Sequence, residues 1–91
     1  MKLICPDPKS FSSECINKVK KLYTANIKEI SQSKLNKIGK NYEIILTRFT
    51  RYVGKEIFST DTKVKFILTP TTNPEDYIDI NLAKKKKIKI F

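Results

Sequence analysis

An α+β sandwich of the split βαββαβ, ferredoxin-like kind, carrying an extended β-hairpin, is the fold the sequence predicts. Three observations lead there. Ninety-one residues are expected to make one small domain, residues 1–91, with no room for a second. A composition 40% hydrophobic and 31% charged, with only two glycines, belongs to an ordered chain rather than a disordered tail. The apolar pattern changes period along the chain in the order strand, helix, strand, strand, helix, strand.

Each element has a local cause. "KLIC" at 2–5 reads as a short strand, stopped by Pro6 and Pro8, which lack the N–H a ladder needs. Ser10 or Ser12 is the expected cap of a helix with Glu14 against the positive end of its dipole. Phe11, Cys15, Ile16, Val19, Leu22 and Tyr23 recur at helical spacing as one apolar stripe, with Lys18, Lys20 and Lys21 elsewhere on the cylinder. From Thr24 to Asn41 the pattern is weak: "ANIKEI" fits a strand edge, and Gly39 marks a turn or cap. "NYEIILTRF" is rich in β-branched and aromatic residues, and in "KEIFSTDTKVKFIL" Val64, Phe66 and Leu68 alternate with Lys63, Lys65 and Ile67. These two strands, joined across "TRYVGK" with Gly54 in the turn, are the expected hairpin. A second helix starts with Asn73 as cap, Pro74 as first residue, and Glu75 and Asp76 at the dipole's positive end. It offers Tyr77, Ile78 and Leu82 to the core. Lys84 to Lys87 then lead into a closing strand over 86–91, with Ile88 and Ile90 on one face and Lys87 and Lys89 on the other.

The formal charge of +10, from 17 Lys and 2 Arg against 9 acidic residues, repels itself in a compact chain and is most simply balanced by a polyanion such as nucleic acid. Lysines that merely fill solvated faces are the plainer explanation. Lysine is a point charge and arginine a planar fork, so a lysine-dominated set positions phosphates without reading bases. The candidate RNA contacts are Lys37, Lys40, Arg48, Arg51, Lys55, Lys63, Lys65, Lys84, Lys85, Lys86, Lys87 and Lys89. Arg48 and Arg51 flank Phe49 and Tyr52, which would stack on an unpaired base or else pack as ordinary strand residues. Cys5 and Cys15 are too few for a disulfide framework, and no histidine joins them at a zinc site, so no metal and no cofactor are expected. No run approaches the roughly 18 apolar residues of a membrane span, and "MKLICPDPKSF" has neither a signal-peptide core nor an Arg-rich transit segment.

"FILTPTTNPEDYIDINLAKKKKIKIF" resembles the closing segment of ribosomal protein S-ten of the small subunit, the NusE family. Pro70, Thr71, Asn81, Leu82, Ala83, Ile88 and Ile90 fall on matching positions; nearer the start, Asp7 matches the family's aspartate after its first strand and Thr62 a threonine of its hairpin. The chain has "SQSKLNKIGKN" where the family carries a Pro-rich run, and lysine where it has Gly before the last strand, as a divergent, organellar member would. The resemblance implies a structural constituent of the small ribosomal subunit, not an enzyme. Its implied partners are small-subunit rRNA and neighbouring proteins of the subunit head, with no membrane and no small-molecule substrate. It places the chain on a ribosome, mitochondrial if organelle-encoded and otherwise cytoplasmic.

Two alternatives stand beside it. One is a generic RNA-binding module outside the ribosome. The other rests on "CPDP", which resembles the Cys-Pro-x-Pro pattern of TusA-like sulfur carriers, with Cys5 as the carrier thiol and Lys9 nearby to lower its pKa. Otherwise acid–base and phosphate-loop chemistry have no motif here: no histidine, no Gly-rich loop, and no close acid pair beyond Glu75 and Asp76.

Overall fold

Short runs that are apolar at every position, "LIC", "IIL" and "FIL", are what strands inside a parallel sheet carry; the first two bury both of their faces, and the third buries Ile67 and half-buries Phe66 and Leu68. The computed structural model, which describes residues 1–91, has five such strands: β1 Lys2–Cys5, β2 Thr24–Ile27, β3 Ile44–Leu46, β4 Phe66–Leu68 and β5 Lys89–Ile90. They form one sheet in the order β2-β1-β3-β4-β5, and every neighbouring pair is parallel. Between them lie helices α1 (Ser13–Leu22), α2 (Gln32–Ile38) and α3 (Ile80–Lys85), with single 3-10 turns at Pro8–Ser10, Gly39–Asn41 and Pro74–Asp76.

Each helix starts on a side-chain cap. Ser12 accepts from the Cys15 N–H, Ser31 from the Lys34 N–H and Asp79 from the Leu82 N–H, each at 3.1 Å. Helix α3 ends in a Schellman turn: the Ile88 N–H reaches the Ala83 carbonyl at 2.9 Å and the Lys87 N–H the Lys84 carbonyl at 3.1 Å. Lys87 therefore sits at φ 59°, a left-handed position that glycine fills at lower cost.

Parallel connections are right-handed, so the direction in which the chain moves across the sheet decides which face each connection covers. From β1 to β2 it moves one way, placing α1 against Leu3, Cys5, Ile44 and Leu46. It then jumps back over β1 and continues to β3, β4 and β5, so α2, the crossover 47–65 and the α3 segment all fall on the opposite face. That face holds the larger core cluster, 12 buried residues including Ile4, Leu35, Ile45, Phe58, Ile67 and Ala83, against 5 on the α1 side.

The expected ferredoxin-like sandwich is thus corrected: the sheet is all-parallel and doubly wound, in a flavodoxin-like strand order. No hairpin forms. β3 and β4 are neighbours as foreseen, but Ile44 pairs with Phe66 and Leu46 with Leu68 in parallel, so residues 47–65 must return across a face instead of turning tightly. Gly54 has no positive φ and makes no hairpin turn; an added Cβ there would come within 2.4 Å of the Tyr52 ring. Asn73 and Pro74 begin only a 3-10 turn, and the last helix is capped by Asp79 instead of Asn73. The weak segment 24–41 resolves into β2 and α2, and the closing strand shrinks to Lys89–Ile90 because Lys86 and Lys87 form the turn that ends α3. Leu22, counted in the α1 stripe, is 72% exposed, while the rest of the stripe packs on the sheet.

Candidate functional site

In a doubly wound sheet the crevice for a ligand opens beyond the carboxyl ends of the strands, where the order reverses. Here the reversal lies between β1 and β3. β1 runs out into Pro6–Ser10, β3 into Thr47–Arg51 and β4 into Thr69–Asn73, so residues distant in sequence meet at one edge.

Asp7 is the anchor of that edge. It is 5% exposed and accepts hydrogen bonds from the Ser10 and Thr50 hydroxyls, which ties the end of β1 to the end of β3. Burial pushes its carboxyl up, but the two hydroxyl donors and the positive charges of Arg51 and Lys9 outweigh that, and it ends below its ordinary value. Arg48 donates from Nη1 to the Ser10 carbonyl at 3.1 Å, and its guanidinium lies 5.5 Å from the centre of the Phe49 ring. Its Nε is buried with no partner. The same holds for Oγ1 of Thr69, a residue 6% exposed at the end of the adjacent strand β4. Unpaired buried polar atoms are costly and call for an explanation, and a polar ligand is one. In Arg51, by contrast, every nitrogen has a partner: Nε and Nη2 donate to the Ile30 carbonyl at 3.0 and 2.6 Å, and Nη1 to the Thr50 carbonyl at 2.9 Å. Beside the crevice, a wide-mouthed depression of about 600 Å³ between Tyr52 and Asn81 is lined by the acids Glu75 and Asp79 and no basic group.

The twelve expected RNA contacts do not share a face. Arg48 and Arg51 stand at the carboxyl edge, and Lys55 is exposed on the 47–65 crossover. Lys40, Lys63, Lys65, Lys84, Lys85, Lys86, Lys87 and Lys89 gather around the opposite, amino-terminal edge, with Lys37 in the last turn of α2; the Lys63 N–H reaches the Lys40 carbonyl at 2.8 Å and the Lys89 N–H that of Lys65 at 3.0 Å. Lys40 there pairs with Asp61 at 3.0 Å. Phe49 and Tyr52, about half exposed, neither flank a hairpin tip nor pack as strand residues. Cys5 is wholly buried, and burial above all pushes its thiol up to about 11, so the sulfur-carrier alternative fails: this is an inert core side chain. Sequence reasoning missed Thr69 and matched Asp7 only by resemblance; for Thr69 the available signal was a polar residue directly following the all-apolar run "FIL".

The fold defines an open, doubly wound α/β unit whose carboxyl edge carries Asp7, Arg48 and Thr69. No protein-family model and no curated protein sequence matches the chain. Solved structures do match its fold over 99% of its length. They include an acyclic imino acid reductase in complex with NADPH and D-Arg (TM-score 0.77, 24% identity), the NAD+-bound 3-phosphoglycerate dehydrogenase of Entamoeba histolytica (0.79, 20%) and the D-lactate dehydrogenase of Escherichia coli (0.70, 16%). The chain spans only 30–32% of the length of these three. The likeness overturns the expected ribosomal identity and structural rRNA-binding role, because the shared fold is that of dehydrogenases and reductases. With it fall the non-enzyme assignment, the generic RNA-binding alternative, and the partner set of rRNA and head proteins without a small-molecule substrate.

A dinucleotide does not fit the first strand–helix turn of this chain. Such sites need glycines so that backbone N–H groups can approach a pyrophosphate at the helix start. The glycines here are Gly39 and Gly54, neither in that turn. The turn instead carries two prolines, Pro6 and Pro8, the buried carboxylate of Asp7 and, in the first turn of α1, Glu14. The prolines remove backbone N–H donors there, and the carboxylates of Asp7 and Glu14 would repel a pyrophosphate.

Proposed function

We propose that residues 1–91 form the substrate-holding α/β unit of an NAD(P)-linked oxidoreductase that acts on a small carboxylate. The observation that carries this reading is the pair of orphaned buried groups, Arg48 Nε and Thr69 Oγ1, at the carboxyl ends of adjacent strands. Lactate and phosphoglycerate, named for two of the matched enzymes, are small carboxylates, and the dinucleotide that such chemistry uses is excluded from the β1–α1 turn. The cofactor would therefore be held by a unit beyond these residues. An arginine supplies charge-assisted donors to a carboxylate, and a threonine hydroxyl adds a second point that fixes its orientation. Arg48 is pre-positioned for this by the Ser10 carbonyl and the Phe49 ring. The part these residues play is binding and orientation. With no histidine and with Asp7 held ionised, the proton for a hydroxyl–carbonyl interconversion is assigned to a group outside residues 1–91.

Amide NMR titration with D-lactate and with NAD+ tests the reading. D-lactate should shift the amides of Thr47–Arg51 and Thr69–Asn73, and Arg48→Met should abolish those shifts, while NAD+ leaves Asp7–Ser12 unmoved. NAD+ shifts centred on Asp7–Ser12, with no response to D-lactate, would overturn it.

A further inference from the structure

A single oxygen joins two strand ends. Both hydroxyls that bind Asp7, those of Ser10 and Thr50, donate to its Oδ2, so one atom links the turn after β1 to the segment after β3. Ser10 in turn offers its backbone carbonyl to Arg48 Nη1 at 3.1 Å, and Thr50 lies two residues along the chain from that arginine. The Ser10 carbonyl is the one hydrogen-bond acceptor that the Arg48 guanidinium meets, and its Nε meets none. Farther along, the same segment is held without Asp7. Arg51 donates to the Ile30 carbonyl, and the Gln32 side chain takes hold of Tyr52 as a neighbouring strand would: its Oε1 accepts from the Tyr52 N–H and its Nε2 donates to the Tyr52 carbonyl, both at 2.7 Å. Gln32 is itself fixed by Asn36, whose Oδ1 lies 2.9 Å from Nε2. Residues 51 and 52 thus have their own anchors, and the grip on Arg48 depends on Asp7.

We infer that Asp7 is a positioning residue: through the Ser10 and Thr50 hydroxyls its Oδ2 fixes the Arg48 guanidinium where a substrate carboxylate is received. The inference rests on the proposed function for what Arg48 receives, though not for what holds Arg48. Two properties of the Asp7 carboxyl pull in opposite directions. Its negative charge counts against an arriving anion, because like charges repel. Its acceptor oxygen counts in favour, because an arginine held in place beforehand loses less freedom when it binds than one that is loose. The two are separable by substitution. Oδ2 takes both hydroxyls and Oδ1 accepts no hydrogen bond from the protein. Asp7→Asn therefore keeps an oxygen where both hydroxyls need it and discards the charge, whereas Asp7→Ala discards both.

The chain has two arginines, so side-chain NMR gives two Nε–H signals: Arg48, assigned by its loss in Arg48→Met, and Arg51 as the reference. Their proton–nitrogen NOE reports whether each side chain is fixed. Arg48 should be fixed in the parent and in Asp7→Asn and mobile in Asp7→Ala, while Arg51 stays fixed throughout. The D-lactate dissociation constant should rise about tenfold or more on Asp7→Ala, and stay level or fall on Asp7→Asn. Gln32→Leu, which frees Tyr52, should change neither reading. Ser10→Ala removes one of the two hydroxyls at a smaller cost to the fold and should move both readings the way Asp7→Ala does, by a smaller step; it carries the test if melting curves show Asp7→Ala unfolded. An Arg48 that stays fixed in Asp7→Ala and Ser10→Ala would overturn the inference, since Asp7 would then only stabilise the fold. Equal weakening of D-lactate by Asp7→Asn and Asp7→Ala would overturn it too, since charge would then be what counts. A parent that ignores D-lactate while Asp7→Ala loosens Arg48 overturns the proposed function and supports the hold of Asp7 on Arg48.

Discussion

The two ends of the sheet treat their polar groups in opposite ways. At the carboxyl end Asp7 is buried and tied to Ser10 and Thr50, every nitrogen of Arg51 donates to a backbone carbonyl, and two polar atoms are held in place without partners. At the amino end there are more charges and far less organisation. Lys63, Lys65, Lys84, Lys85 and Lys89 stand in solvent, and Lys40–Asp61 is the ion pair formed there. A site is built by constraint, and the number of charges is a poor guide to where constraint lies. Exposed lysines gain little from neighbours because water and salt screen them.

That contrast is open to direct attack, beginning with its strongest member. Asp7→Ala strips the acceptor from two hydroxyls and removes a negative charge near Arg51, and should cost about 1–3 kcal/mol in a urea unfolding experiment. The pH dependence should follow. Because the folded Asp7 carboxyl lies below its ordinary value of 3.8, its stabilisation is complete above that value and is lost as pH falls through the lowered one. Asp7→Asn should therefore flatten the loss of stability between about pH 5 and about pH 3, read from urea midpoints; an unchanged slope would mean that other carboxylates carry it. At the amino end the expected effects shrink and one changes sign. Lys87→Gly relieves the left-handed backbone and should stabilise by about 0.5–1 kcal/mol in thermal melts. Lys84→Gln and Lys85→Gln should each move stability by no more than about 0.5 kcal/mol. A loss well beyond that would place structure where only solvated charge is seen.

Much of the local structure was legible in the residues. The strand at 2–5 and its proline stop, the α1 stripe with a serine cap, and the inward Ile88 and Ile90 all stand as their side-chain chemistry requires. Strand direction was not legible. The alternation through Val64, Phe66 and Leu68 is compatible with either an antiparallel or a parallel neighbour, and the better signal was that "FIL" is apolar at every position. Asn73 was the expected cap, and only the folded chain shows that Asp79 is the residue that accepts a backbone N–H. The lysine run 84–87 drew attention by its composition, yet it is the end of a helix and the turn after it.

By itself the sequence determined most of the apolar core, the serine-capped start of α1, and that the chain is strongly basic, because these depend on side-chain polarity and near-neighbour backbone sterics. Only the tertiary structure decided that the strands run parallel in the order β2-β1-β3-β4-β5, and so that the strand ends carrying Asp7, Arg48 and Thr69 lie along one edge. The physical reason is that strands pair through backbone N–H and C=O groups, which are the same in every residue but proline. A pattern of side chains says that a strand has two buried faces; it does not name the neighbour or its direction.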